Sequence, residues 1–250
     1  MHRTVAYLSK TRHIDSAIIQ KLIETKLLYQ QQANYSTEDG RDIEAHNIVF
    51  PIYDEKRQIV GGEKAGTLSY ADRRFKGVEE VSKYGYGYNI IVSAPVSRLY
   101  YFESAIDLIS FMELAGGKGN LLSNSMLISM AGLKKAIFDH MINQFRSERC
   151  EKYLCVDRDE AGKQFTAMIM REYPGIKELI PDEQRKDWND QLKHVKTRNI
   201  LNLFSPNGHN TNNIEEWKNK IETVKTDNIP KPLENNENMK KTDKQADIFL

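Results

Sequence analysis

The stretch YLCVDRDEAGK, Tyr153 to Lys163, contains a strand, an acidic turn and the start of a helix within eleven residues. Tyr153 to Val156 is a short apolar run of strand length, and Asp157 and Asp159 follow it directly. From Ala161 to Tyr173 the apolar residues recur at three-to-four spacing, as on one face of a helix. The same rhythm extends outward. Leu99 to Phe102, Met126 to Ser129 and Glu178 to Ile180 read as further strands, with helices over Ser104 to Leu114 and Leu133 to Phe145. Short apolar runs alternating with amphipathic helices define an α/β fold: an open, mostly parallel sheet flanked by helices and joined by right-handed crossovers.

Acidic residues fall just beyond the carboxyl ends of these strands, Glu103 after LYYF and Asp157 and Asp159 after YLCV. In open α/β sheets the functional crevice lies outside those ends, so the three side chains are expected to converge. Converging carboxylates repel one another unless they share a proton or bind a cation. An all-oxygen set with no His or Cys suits a hard ion, Mg²⁺ or Mn²⁺, of the kind that supports phosphoryl transfer. Taken alone, Asp157 or Asp159 can instead cap the helix beginning near Glu160. Asp107, one helical turn after Glu103, can join a second ion or stand as a solvated first-turn residue.

The composition narrows the remaining classes. Two hundred and fifty residues with 40% hydrophobic content can bury one sizeable core or two small ones. No run of about 18 apolar residues and no leader pattern is present, so a cytoplasmic protein without a membrane partner is expected. Cys150 and Cys155 cannot make a four-ligand zinc site by themselves and read as thiols. A net charge of +1 excludes a broadly basic nucleic-acid binder, so any basic face must be local.

Upstream, residues 11 to 29 carry Ile14, Ile18 and Leu22 at helical spacing, and Ile48 to Tyr53 followed by Gln58 to Val60 read as a β-hairpin whose Pro51 argues for an edge strand. The segment from Lys56 to Lys83 holds seven basic against four acidic side chains. Arg57, Lys64, Arg73, Arg74, Lys76 and Lys83 are its candidate phosphate contacts; a solvated charged face is the alternative. Gly61, Gly62 and Gly66 lack the order of a phosphate loop. Tyr84, Tyr86 and Tyr88, alternating with glycines, suit either base stacking or a plain strand face.

Together, YFESAID (Tyr101 to Asp107), SMAGL (Ser129 to Leu133), LCVDRDEAGK (Leu154 to Lys163) and KDWNDQL (Lys186 to Leu192) resemble, in order and spacing, a toprim domain, the unit shared by bacterial-type primases, type IA and II topoisomerases and certain nucleases. The resemblance is nearest to toprim proteins of plasmids, phages and integrative elements, in which an uncharacterised domain precedes the toprim unit; YLSKTRHID (Tyr7 to Asp15), VFPIYDEKRQIVGG (Val49 to Gly62) and VSKYGYGYNI (Val81 to Ile90) look like that domain. Together with the shift to Asn, Lys, Glu and Thr after Phe204, a composition too polar to offset its ordering entropy, it divides the chain into three parts: a small α+β domain over 1–97, the toprim domain over 98–200, and a disordered Asn/Lys-rich tail over 201–250. It also implies that Asp157 and Asp159 ligate Mg²⁺, and that Glu103 ligates metal or does acid/base work. Lys186 would meet a phosphate, Asp187 would orient a ligand, and Arg158 would touch substrate; for Lys186 and Asp187 a simple helix start is the other reading.

The chain has no zinc ribbon, no helicase phosphate loop and no relaxase histidine cluster. The expected activity is therefore primase-like nucleotidyl transfer on single-stranded DNA with nucleotides as substrates, in replication or transfer of a mobile element. The alternatives are a toprim nuclease and a non-catalytic DNA-binding accessory. The final residues QADIFL resemble a sliding-clamp-binding peptide, with Gln245, Asp247, Ile248 and Phe249 as its contacts.

Overall fold

The computed structural model describes residues 1–36, 42–67, 75–116, 121–145 and 150–203. It contains two sheets. The first is antiparallel, ordered β1-β2-β3-β4, with β1 Tyr29–Ser36, β2 Asp42–Tyr53, β3 Ile59–Gly66 and β4 Lys76–Val78. The second has five strands ordered β5-β7-β6-β8-β9, with β5 Asn89–Ile91, β6 Arg98–Phe102, β7 Ser125–Ser129, β8 Glu151–Cys155 and β9 Lys177–Glu178. All its pairings are parallel except that of β5 with β7.

Three helices pack on this second sheet: α3 Ala105–Gly116, α4 Lys135–Gln144 and α5 Glu160–Glu172. Side chains alternate across each strand, and the alternation sorts the helices by face. Tyr100, Phe102, Leu127 and Cys155 share a core with α3, whereas Leu99, Tyr101, Ile128 and Leu154 share one with Ile137 and Phe138 of α4 and Phe165 and Ile169 of α5. The neighbouring strands β6 and β8 thus send their following helices to opposite faces. That is a topological switch point, where a crevice opens at the carboxyl ends of the two strands.

The first sheet does not stand apart. Ile48, Phe50 and Ile52 of β2 and Ile18, Ile19 and Leu22 of α2 Ser16–Glu24 belong to the same core as α3 and Trp188. Polar bonds reinforce this join. Glu113 of α3 accepts from the Asp15 N–H at 2.9 Å, and Asn189 Nδ2 donates to the Arg12 carbonyl at 2.8 Å.

Several local expectations need correction. The helix expected over 11 to 29 is confined to α2, because Asp15 caps it by accepting from the Ala17 N–H at 2.7 Å; before it lie α1 His2–Ala6 and a π-helical turn Tyr7–Thr11. Strand β2 is interior, between β1 and β3, although Pro51 argued for an edge. The pairing with β1 reaches only Val49, so the half of β2 that holds Pro51 has a partner on one side alone, where a missing N–H is tolerated. Tyr86 and Tyr88 are buried and cannot stack on bases, while Tyr84 is exposed. Tyr88 packs on Phe50 at 5.3 Å. Cys150 and Cys155 are buried free thiols. Among the described residues no helix is long and apolar enough to cross a membrane.

Candidate active site

The D-x-D pair separates into two roles. Asp159 is the N-cap of α5: its Oδ1 accepts from the Gly162 N–H at 3.0 Å. Asp157 caps nothing. It is 9% exposed, and its buried Oδ1 has no hydrogen-bond partner. Gly162 lets the turn close, since a Cβ there would come within 2.1 Å of the Asp157 carbonyl oxygen.

Glu103 follows β6, the strand beside β8, and its Oε2 is likewise buried and unpaired. The turn after β7 is fastened to it: the Gly132 N–H donates to the Glu103 carbonyl at 2.8 Å, and Gly132 has φ +97°, where a side chain is strained. One turn on, Asp107 is buried in α3. Its Oδ2 accepts from the Ser104 hydroxyl at 2.5 Å and its Oδ1 from the Asn189 N–H at 3.3 Å. Asp107 is therefore bonded to the first turn of α6 Trp188–Leu203 and is not the solvated residue of the alternative reading. Asp187 precedes α6 and accepts from the Asp190 N–H at 2.7 Å, the helix-cap geometry. Trp188 anchors that helix through Nε1–H to the Cys155 carbonyl at 3.0 Å and an edge contact with Phe111.

The electrostatics match this geometry. Burial pushes the Asp157 carboxyl up to about 8, helped by the negative charges of Asp107, Glu103 and Asp187 and opposed by Lys186. Burial also raises Glu103, with Asp159 and Asp107 adding to it, and raises Asp107, with Asp187 adding. These acids raise one another, and the lysines Lys186 and Lys76 act against them. Among the described residues no three His, Cys, Asp or Glu side chains form a ready-made metal cage. A hydrated Mg²⁺ does not require one, since one or two carboxylates plus water and substrate phosphate suffice. The unpaired buried oxygens of Glu103 and Asp157 fit such an ion, and Asp159 keeps Oδ2 directed to Lys186, whose Nζ is 3.9 Å away.

The basic residues divide. Lys76 of β4 is exposed and acts on Glu63, Glu103 and Asp107. Lys64 pairs with Glu79 at 3.1 Å, Lys83 bonds the Tyr86 hydroxyl at 3.1 Å, and Arg57 lies over the Tyr53 ring at 4.5 Å. Arg158 donates to the Pro181 carbonyl at 3.3 Å. Arg73, Arg74, Gln245, Asp247, Ile248 and Phe249 lie outside the described residues.

One residue at the site was not anticipated. Glu63, on β3 of the first sheet, is 7% exposed; it accepts from the Ala105 N–H at 2.9 Å and from the Ser129 hydroxyl at 2.6 Å. Burial raises its carboxyl to about 7 against those two bonds. In sequence it is one acid in a charged segment, and its partners lie 42 and 66 residues away. No local pattern could have marked it.

A parallel-rich sheet with acidic residues at its switch point is the arrangement expected of a toprim domain. Residues 100–192 match the family described as Toprim-like, and residues 6–89 match a protein family of unknown function, DUF3991. The chain therefore carries a Toprim-like domain over residues 100–192, preceded by an N-terminal DUF3991 domain. Among solved structures, the primase fragment of the bacteriophage T7 primase-helicase is 16% identical, with TM-score 0.52 over 77% of this chain and 71% of that one. A chain in the structure of bacteriophage T7 lagging-strand DNA polymerase interacting with primase domains of two gp4 subunits is 15% identical, with TM-score 0.51 over 77% and 87%. At such identities the likeness is one of fold. No curated protein matches the sequence.

Proposed function

We propose that this protein carries out Mg²⁺-dependent, primase-like nucleotidyl transfer on single-stranded DNA, joining nucleotides in the replication or transfer of a mobile element. The observation that carries the reading is the pair of buried, unpartnered carboxyl oxygens, Glu103 Oε2 and Asp157 Oδ1, at the carboxyl ends of adjacent strands. Leaving such groups buried and unpaired costs free energy that a cation repays. When bound, Mg²⁺ or Mn²⁺ supplies charge neutralisation at the transferring phosphate.

The chain's own residues do the rest. Glu103 and Asp157 would hold the ion with Asp159, and Asp107 and Asp187 would extend the negative field toward a second position. Lys186 and Lys76, the two lysines that act on Glu103, receive the nucleoside triphosphate and keep its charge from being repelled. Arg158, fixed by Pro181 beside the D-x-D turn, steadies the loop that carries Lys186 through its N–H bond to the Lys186 carbonyl at 2.8 Å. The RNA/DNA hybrid and dTTP bound in the T7 complex are the kinds of ligand such a crevice would accept. Incubation with single-stranded DNA, labelled nucleotides and Mg²⁺ or Mn²⁺ tests the reading. Extended products support it, whereas shortening of the DNA would assign the same carboxylates to hydrolysis.

A further inference from the structure

We propose that Glu63 is a positioning residue for the acidic crevice, through which the DUF3991 domain sets the geometry of the Toprim-like site; the proposal rests on the metal reading above. The two bonds of Glu63 end on the two backbone segments that flank Glu103. Oε1 takes the N–H of Ala105, the first residue of α3, two positions after Glu103 and two before Asp107. Oε2 takes the hydroxyl of Ser129, the last residue of β7, which is in register with Phe102. That hydroxyl oxygen accepts in turn from the Ala131 N–H at 3.2 Å, and the next residue, Gly132, bonds the Glu103 carbonyl. One carboxylate from the first sheet thus fixes both the start of α3 and the β7 turn, with Glu103 between them.

An apolar residue would join the two domains without the desolvation cost of a buried carboxylate. What the two polar atoms of this side chain provide, and an apolar one cannot, is simultaneous restraint of a backbone N–H and a hydroxyl. The neighbouring glycine sets its approach: a Cβ on Gly62 would meet Val49 Cγ1 at 3.0 Å, so β3 lies close against β2 where Glu63 leaves it. Lys76, on the adjoining β4, brings the balancing positive charge.

The test is a Mn²⁺ titration of the full-length wild type, Glu63→Ala, Glu63→Gln and Ser129→Ala, followed by steady-state kinetics. Glu63→Ala should weaken Mn²⁺ binding and lower kcat by roughly 10–100-fold, the usual effect of removing a group that orients metal ligands, with the KM for template DNA unchanged. Glu63→Gln keeps an acceptor for Ala105 and an N–H for the rotated Ser129 hydroxyl, and should recover most of the affinity. Ser129→Ala should move both quantities the same way by less. A folded Glu63→Ala that binds Mn²⁺ and turns over like the wild type overturns the proposal; if that variant does not fold, wild-type behaviour of Ser129→Ala does so. A wild type that binds no Mn²⁺ contradicts the metal reading itself, and the first titration separates that outcome from the others.

Discussion

Lys186 Nζ lies 3.9 Å from Asp159 Oδ2, which ties the loop before α6 to the cap of α5 on the rim of the acidic crevice. Both side chains are largely exposed, and such a pair adds little stability, about 0–1 kcal/mol. On the proposed reading, a lysine there acts on the nucleotide that enters the crevice. Lys186→Ala should leave the melting temperature almost unchanged and raise the nucleotide KM about tenfold, equivalent to about 1.4 kcal/mol of binding. Thermal melts and initial rates check the two halves of this expectation separately.

Asp157→Asn and Glu103→Gln replace a carboxylate by an isosteric amide at the two unpartnered oxygens. Each should cut Mn²⁺-dependent activity by about 100-fold or more and weaken Mn²⁺ binding, because a hydrated divalent ion takes only one or two carboxylates directly and here loses one of them. The metal-free variants should melt at or above the wild-type temperature, since the repulsion among the acids is relieved. Retention of wild-type turnover by both variants would refute the site assignment.

The pH dependence of stability follows from Asp157. Its folded carboxyl titrates at about 8 and its unfolded one near about 3.9. Between those values the folded chain holds more protons, so its stability is full below the lower value and is lost as pH rises through the upper one. Glu63, at about 7, acts in the same direction. In chelator, the melting temperature should fall between about pH 5 and pH 8.5, by about 2–4 °C per kcal/mol lost. Mn²⁺ should stabilise the protein more at the alkaline end, where it displaces fewer protons. Asp157→Asn should flatten the metal-free fall.

Gly162 tests the turn that aims Asp157. The Cβ of Gly162→Ala would lie 2.1 Å from the Asp157 carbonyl, far inside van der Waals contact, so backbone must move. Activity should drop at least as steeply as in Asp157→Asn, and the melting temperature should fall as well, a combination that the isosteric variant lacks. Melts and rates on the same preparation distinguish the two.

Much of this architecture is legible from the amino acids because its cues are local. Apolar strand runs, helical spacing and acids just past the strand ends place β6, β7, β8 and the helices α3, α4 and α5 that follow them to within a few residues. The elements that the sequence hid depend on distant partners. Strand β1, the polar run YQQQANYS, carries no strand signal of its own and forms where β2 pairs with it, from Tyr29 opposite Val49. Strand β5 is three residues long and exists through its antiparallel contact with β7. Asp107 looks like a solvated helix residue until α6 delivers the Asn189 N–H from 82 residues away. Glu63 is obscured for the same reason, since burial of a charge is a property of the assembled fold and not of GGEKAG.

The proposed chemistry, joining nucleotides on single-stranded DNA at the crevice between β6 and β8, leaves a product that can be read directly. The most direct measurement is a denaturing gel of products formed from unlabelled single-stranded DNA and labelled nucleotides with Mg²⁺ or Mn²⁺, run beside Asp157→Asn. A labelled ladder from the wild type, absent in chelator and in the variant, is the predicted result. Wild-type protein that binds Mn²⁺ yet leaves the nucleotides unincorporated would contradict it.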